Sequence, residues 1–289
     1  MSRIAYVNGC YLPHGAASVH IEDRGYQFAD GVYEVIAVRN GVLIDGNWHM
    51  DRLRRSLSEL QIRMPMATPA LNVVLCETAR RNRFRDGIVY LQVSRGVARR
   101  DHPFPSADTR PALVVTARRT PPIPAKFVEE GVAVISQPDI RWGRCDIKSI
   151  SLLPNVLVKQ AARVKGAFEA WQVDGDGFVT EGASTNAWII NEEGHLITRP
   201  VENTILNGIT RRRLIALAKV QGIVVEERRF SLEEAKLARE AFLTSTTAFV
   251  LPVVQIDETV LGNGRPGSNT AMLRQIYLDF VAEKALKTG

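Results

Sequence analysis

The segment "RRTPPIPAK" at residues 118–126 constrains this chain more than any other. Pro121, Pro122 and Pro124 fix φ and remove three backbone donors, so neither a helix nor a central strand can run through it. The break lies well inside 289 residues, a length that suits two domains. The expected division is an N-terminal α+β domain over 1–119, a linker over 120–126 and a C-terminal α+β domain over 127–289 that contains Lys148.

Before the linker, strand patterns fall at 4–7, in "GIVYLQVSRG" and in "ALVVTARR". The stretch "VYEVIAVRNGVLI" reads as a hairpin turning at Asn40 and Gly41, a pair that tolerates positive φ. Two helices accompany them. In "NWHMDRLRRSLSELQI" the apolar residues Met50, Leu53, Leu57 and Leu60 recur at helical spacing, and "PALNVVLCETARRN" is the second. After the linker come a strand "GVAVISQ", an amphipathic helix "PNVLVKQAARVKGAF", and a strand pair "FVTEGASTNAWIINEEGHLIT" turning near Gly194. A helix "GITRRRLIALAKVQG", a strand "GIVVEERRF", a short helix with a capping box from Ser231 to Glu234, two strands in "EAFLTSTTAFVLPVVQI" and a closing helix complete the chain.

The composition excludes several classes. No apolar run approaches the ~20 residues that span a bilayer, and "MSRIAYVNGCYLP" lacks a signal-peptide pattern, so a soluble cytoplasmic protein is expected. Cys10, Cys76 and Cys145 are far apart and form no C-x-x-C pair, which argues for reduced thiols and no zinc. The net charge of +6 invites a nucleic-acid reading, with "RRNRFR" and "RRR" as the densest runs. Neither run is interleaved with stacking aromatics, and both sit on or beside expected helices, so no nucleic-acid partner is expected.

Two motif matches fail on context. "GNGRPG" satisfies G-x-G-x-x-G, but Pro266 lies inside it and only one helix follows, so it reads as a turn. The five histidines show no H-E-x-x-H spacing, and "EGASTN" is no G-x-S-x-G elbow, so no metal site or serine nucleophile emerges. Lys148 in "DIKSISLL" is more informative. A lysine where alternation continues a half-buried strand either points outward or serves as an amine, and an amine in partly apolar surroundings can form a Schiff base with a carbonyl compound.

Seven ordered segments carry a wider resemblance: "EDRGYQFADGVYEV", "HMDRL", "VSRGVARRDHPFP", "DIRWGRCDIKSISLLPNVL", "TEGASTNAW", "LNGITR" and "LTSTTAFVLPV". Together they resemble the fold-type IV pyridoxal-phosphate enzymes, and among them the D-amino acid aminotransferases, over nearly the whole chain. The resemblance implies an α+β, two-domain D-amino acid aminotransferase-like fold and pyridoxal 5′-phosphate as cofactor. It makes Lys148 the Schiff-base anchor and proton carrier, and Glu181 the carboxylate facing the pyridine nitrogen.

The same resemblance assigns Arg52, Ile209, Thr210 and Thr246 to the phosphate, Leu206 to a ring face, and Ser184 and Thr185 to the cofactor's surroundings. Gly208, Ile209 and Thr210 also open an expected helix, whose free N–H groups favour a dianion. Tyr33, Arg100 and His102 are similar to residues that hold the substrate carboxylate, the last two reaching in from the other subunit of a homodimer with shared active sites. Ala248, where relatives often carry a hydroxyl, and the charges Arg99 and Asp101 depart from the pattern.

The activity this implies is ping-pong transamination, with D-alanine and 2-oxoglutarate giving pyruvate and D-glutamate. The alternatives on the same fold are a branched-chain L-amino acid aminotransferase, an aminodeoxychorismate lyase or an (R)-amine transaminase. Arg100 and His102 favour a substrate that bears an α-carboxylate.

Overall fold

The computed structural model describes residues 3–286. The chain folds into two compact units, one of Met1–Pro121 with Ile147–Ser151 and Val281–Gly289, the other of Pro122–Asp146 with Leu152–Phe280. The boundary falls between two of the three prolines.

Unit 1 is a six-stranded antiparallel sheet built from β1 (Ile4–Val7), β2 (Cys10–Pro13), β3 (Gly31–Arg39), β4 (Val42–Leu43), β5 (Gly87–Ser94) and β6 (Ala112–Arg119). Their spatial order is β2-β1-β6-β5-β3-β4. The β3–β4 connection turns on Asn40 (φ 50°) and Gly41 (φ 83°), the left-handed pair expected for a two-residue hairpin. Besides the short α1 (Arg24–Phe28), helices α2 (Gly46–Glu59) and α3 (Thr68–Arg81) accompany the sheet. Met50, Leu53 and Leu57 of α2 and Leu71 and Leu75 of α3 join Val32, Ile36, Val89, Leu91 and Val115 in one buried cluster. The alternation of β3, β5 and β6 supplies one face of each strand to that core.

Unit 2 holds α4 (Ala125–Glu129), β7 (Val132–Pro138), α5 (Leu153–Val164), β8 (Glu169–Val173), β9 (Val179–Gly182), β10 (Asn186–Ile190) and β11 (Leu196–Thr198). It continues with α6 (Ile209–Val220), β12 (Val225–Glu227), α7 (Leu232–Lys236), β13 (Glu240–Ser245), β14 (Phe249–Ile256), β15 (Thr259–Val260) and most of α8 (Ser268–Leu286). The nine strands form a mixed sheet in the order β12-β11-β10-β13-β14-β7-β8-β9, with β15 on β14. Ser231 caps α7 by accepting from Glu234 N at 3.0 Å. "GNGRPG" is a turn, with Gly262 and Gly264 at positive φ.

Several expectations are corrected. The C-terminal domain does not run unbroken over 127–289, because Ile147–Ser151 and the end of α8 belong to unit 1. The reason is hydrogen bonding. Tyr33 N donates to Lys148 O and Ile150 N to Gly31 O, each at 3.0 Å, so the segment lies antiparallel along the part of β3 that β4 leaves uncovered. Lys148 therefore belongs to unit 1, and its segment makes a single bridge there rather than a full strand. The stretch 120–126 is not all linker, since α4 begins at Ala125. Strand β8, fully buried over its first four residues, lacks the alternation that marks a strand in sequence and is not among the expected strands. The strand expected in "GIVVEERRF" shrinks to three residues. No described helix is long and apolar enough to cross a membrane.

Candidate active site

In unit 1 the backbone around Lys148 is fixed from two sides: its carbonyl accepts from Tyr33 N, and its N–H donates to Ser56 Oγ on α2 at 3.3 Å. The half-buried ammonium lies 4.2 Å from the centroid of the Tyr33 ring, so these two expected site residues are brought together. Tyr33 also packs on Tyr90, with centroids 5.7 Å apart.

Arg52 is held by Glu34, which faces it from β3. Its Nε and one terminal nitrogen donate to the two Glu34 carboxylate oxygens at 2.7 and 2.8 Å, a bidentate fork. His49 Nδ1 lies 2.7 Å from the same carboxylate. Glu34 is fully buried, which by itself raises its pKa, but the charge and hydrogen bonds of Arg52, with those of His49, together outweigh burial and hold it at about 2. Burial also lowers the pKa of His49, against the pull of Glu34.

Arg100 and His102 are exposed, on the loop between β5 and β6. Both lie against Phe28, the Arg100 guanidinium carbon 5.0 Å and the His102 ring 5.6 Å from its centroid. Arg24 ties the loop's backbone down, donating to Asp101 O at 2.6 Å and His102 O at 3.3 Å while its Nε bonds Asp30 at 2.8 Å. The main chain is anchored, and the two side chains stay exposed where they flank Phe28.

In unit 2 the buried Glu181 carboxylate is the hub. Leu206 N lies 3.1 and 3.2 Å from its two oxygens, Asn186 Nδ2 donates at 2.9 Å, and Arg141 makes a short ion pair with it. Arg141 also bonds Asp139, Thr180 and the carbonyl of Thr204. Although burial disfavours the cation, the charges of Glu181 and Asp139 and the Asp139 hydrogen bonds raise its pKa and keep it protonated. Asn186 also donates to Leu206 O, so one amide side chain locks Leu206 and Glu181 together.

The start of α6 follows directly. A Cβ on Gly208 would meet Asn186 Oδ1 at 2.0 Å, so only glycine fits there, and no side chain caps the helix. The first N–H groups of α6, at Ile209 and Thr210, therefore have neither helical partners nor a cap. Thr185 is buried and its hydroxyl has no hydrogen-bond partner, whereas Ser184 Oγ donates to the buried Glu169 carboxylate at 2.8 Å. Thr246 lies in the three-residue turn between β13 and β14, outside both strands.

Glu34, His49, Arg141 and Asn186 are the residues the structure adds. All four lie within the segments that carry the resemblance, but nothing in their spacing reveals that Glu34 and His49 meet or that Arg141 and Asn186 converge on Glu181. Among the described residues no cluster of three His, Cys, Asp or Glu side chains could hold a metal ion.

Known proteins resemble this chain in sequence and in fold. The model of the family "Amino-transferase class IV" matches residues 31–256. A D-alanine aminotransferase from Bacillus licheniformis is 41% identical over 283 residues, covering 97% of this chain and 98% of its own. One from Staphylococcus haemolyticus is 38% identical over 280 residues, with coverage of 97% and 98%. Among solved structures, a branched-chain amino acid aminotransferase from Escherichia coli superposes with a TM-score of 0.88 at 25% identity, covering 96% of this chain and 94% of that one. With a family model spanning the segments that carry Lys148, Glu181 and the α6 start, and near-full-length relatives at about 40% identity, the chain belongs to the amino-transferase class IV family.

Proposed function

We propose that the protein is a pyridoxal 5′-phosphate-dependent D-amino acid aminotransferase that moves the amino group of D-alanine to 2-oxoglutarate. The observation that carries this reading is 41% identity to a D-alanine aminotransferase over nearly the whole of both chains, against 25% to the branched-chain enzyme of similar fold. The residues present suit the cofactor. A buried carboxylate held by three groups, an uncapped helix N-terminus and the unpartnered Thr185 hydroxyl match a protonated ring nitrogen, a phosphate dianion and a further polar atom.

When bound, the cofactor supplies an electrophilic carbonyl and a ring that takes up the electron pair left at the substrate's Cα. Lys148 would hold it through Nζ, and the same nitrogen would serve to carry the proton between the substrate's Cα and the cofactor. Glu181, kept in place by Leu206 N, Asn186 and Arg141, accepts the ring N–H and keeps that nitrogen charged. Ile209 and Thr210 would hold the phosphate with Thr246 and Arg52, Leu206 would lie by the ring, and Ser184 and Thr185 would line the cofactor's surroundings. Tyr33, Arg100 and His102 orient the substrate carboxylate, the last two from the neighbouring subunit of a cytoplasmic homodimer. Their exposure on an anchored loop suits a role toward another chain.

Half-reactions with D-alanine, L-leucine and (R)-1-phenylethylamine test the reading, each followed by loss of the cofactor's visible absorption in single turnover. D-alanine is expected to react at least about a hundredfold faster than the other two, since only it satisfies the carboxylate contacts with the reacting hydrogen on the correct face. Faster reaction with L-leucine would replace the D-amino acid assignment with the branched-chain one.

A further inference from the structure

The turn that carries Thr246 has an unusual closure. Ser245 and Phe249 pair across the end of the β13–β14 hairpin, with Thr246, Thr247 and Ala248 as the loop. The left-handed residue at this closure is not in the loop but is Phe249 itself, at φ 59°, where it pairs with Ser245. A bulky side chain disfavours this conformation, so the surrounding structure must impose it.

The imposing contacts come from one face of α8. Arg274 donates from a single terminal nitrogen to Ala248 O at 3.0 Å and Val250 O at 2.5 Å, the carbonyls on either side of Phe249. One turn on, the ring of Tyr277 packs on that of Phe249, with centroids 5.1 Å apart. Ala248 N is tied to Ser245 Oγ at 3.1 Å. Among the described residues Arg274 has no carboxylate partner, so its charge is spent on the backbone of this turn.

We propose that Arg274 is a positioning residue for the phosphate end of the site: by bridging the carbonyls of Ala248 and Val250 it holds Phe249 left-handed and so presets the turn that presents Thr246. The inference rests on the reading that Thr246 binds the cofactor phosphate. A turn fixed beforehand presents its hydroxyl without ordering cost, and an uncompensated cation bonded to its backbone favours a dianion there.

The test compares apo-protein binding of pyridoxal 5′-phosphate with that of pyridoxal, which lacks the phosphate, by quenching of tryptophan fluorescence. Arg274→Gln is expected to weaken pyridoxal 5′-phosphate about tenfold and pyridoxal less than about twofold, in line with the loss of a charge-assisted contact. If that variant does not fold, Arg274→Lys, which keeps the charge but loses the bridge, carries the same comparison with an expected loss of about threefold. Equal losses for both ligands, or none, overturn the proposal. Thr246→Val in parallel separates the two claims. A phosphate-selective loss in Thr246→Val without one in Arg274→Gln overturns the clamp alone. A selective loss in Arg274→Gln without one in Thr246→Val removes Thr246 from the phosphate site and overturns the clamp with it.

Discussion

Glu34 illustrates how a residue remote from the expected chemistry governs one within it. Its carboxyl is held at about 2 against an ordinary 4.5, so the folded chain binds this proton less readily than the unfolded chain. The stabilisation it gives is complete above about pH 4.5 and is lost as pH falls toward about 2. His49, whose pKa is lowered chiefly by burial, adds a loss that begins as pH falls below its ordinary 6.5. Glu34→Gln is expected to destabilise the protein by about 3 kcal/mol at neutral pH, because Arg52 loses its buried counter-ion, and to flatten the acid limb below pH 4.5. Thermal melts from pH 3 to 7 check both parts; a parallel shift of the wild-type curve, with the acid limb intact, counts against the pairing.

Among the elements, the pairing of Ile147–Ser151 with β3 decides where Lys148 stands. Gly31 makes that close approach feasible. A Cβ there would meet Val93 O at 2.6 Å, Ser94 Cα at 3.0 Å and Ile150 Cδ1 at 3.1 Å, and the first two are backbone atoms that cannot swing aside. Gly31→Ala is therefore expected to cost about 1–3 kcal/mol and to loosen the segment. Hydrogen exchange at the Ile150 amide, bonded to Gly31 O, should accelerate by about tenfold or more. Unchanged protection at Ile150 would show that the side chain of Ile150, rather than the pairing, absorbs the added methyl.

The whole molecule poses the question of which chain completes which site. Arg100 and His102 sit on a loop whose backbone Arg24 anchors and whose side chains are exposed, while Lys148 is clamped between β3 and α2. Under the proposed homodimer the loop serves the neighbouring lysine. Mixing Arg100→Ala with Lys148→Ala chains then yields heterodimers with one site intact and one lacking both residues. Such heterodimers should recover about half of wild-type kcat/KM for D-alanine, since activity is additive over independent sites. Near-zero activity in isolated heterodimers would mean that each loop serves its own chain.

Local sequence alone determined much of this protein, because some signals need no distant partner. Three prolines part the chain, Asn40 and Gly41 close a hairpin, Met50, Leu53 and Leu57 set the buried face of α2, and Ser231 caps α7. Each is a preference of adjacent residues, and the tertiary structure retains it. The ordered segments likewise single out Lys148 and Glu181 by resemblance. Other features were decided only by packing. Lys148 joins unit 1 because its segment finds hydrogen bonds on β3, over a hundred positions earlier in the chain. Glu181 and Arg141 meet across forty residues, and Arg52 finds Glu34 from another element. Strand β8 is buried on both faces and so carries no alternation to read. Phe249 adopts a glycine-like conformation that its own chemistry opposes, held by Arg274 and Tyr277 on α8. Contacts of this kind depend on which surfaces come together, and no residue's nearest neighbours in sequence encode that.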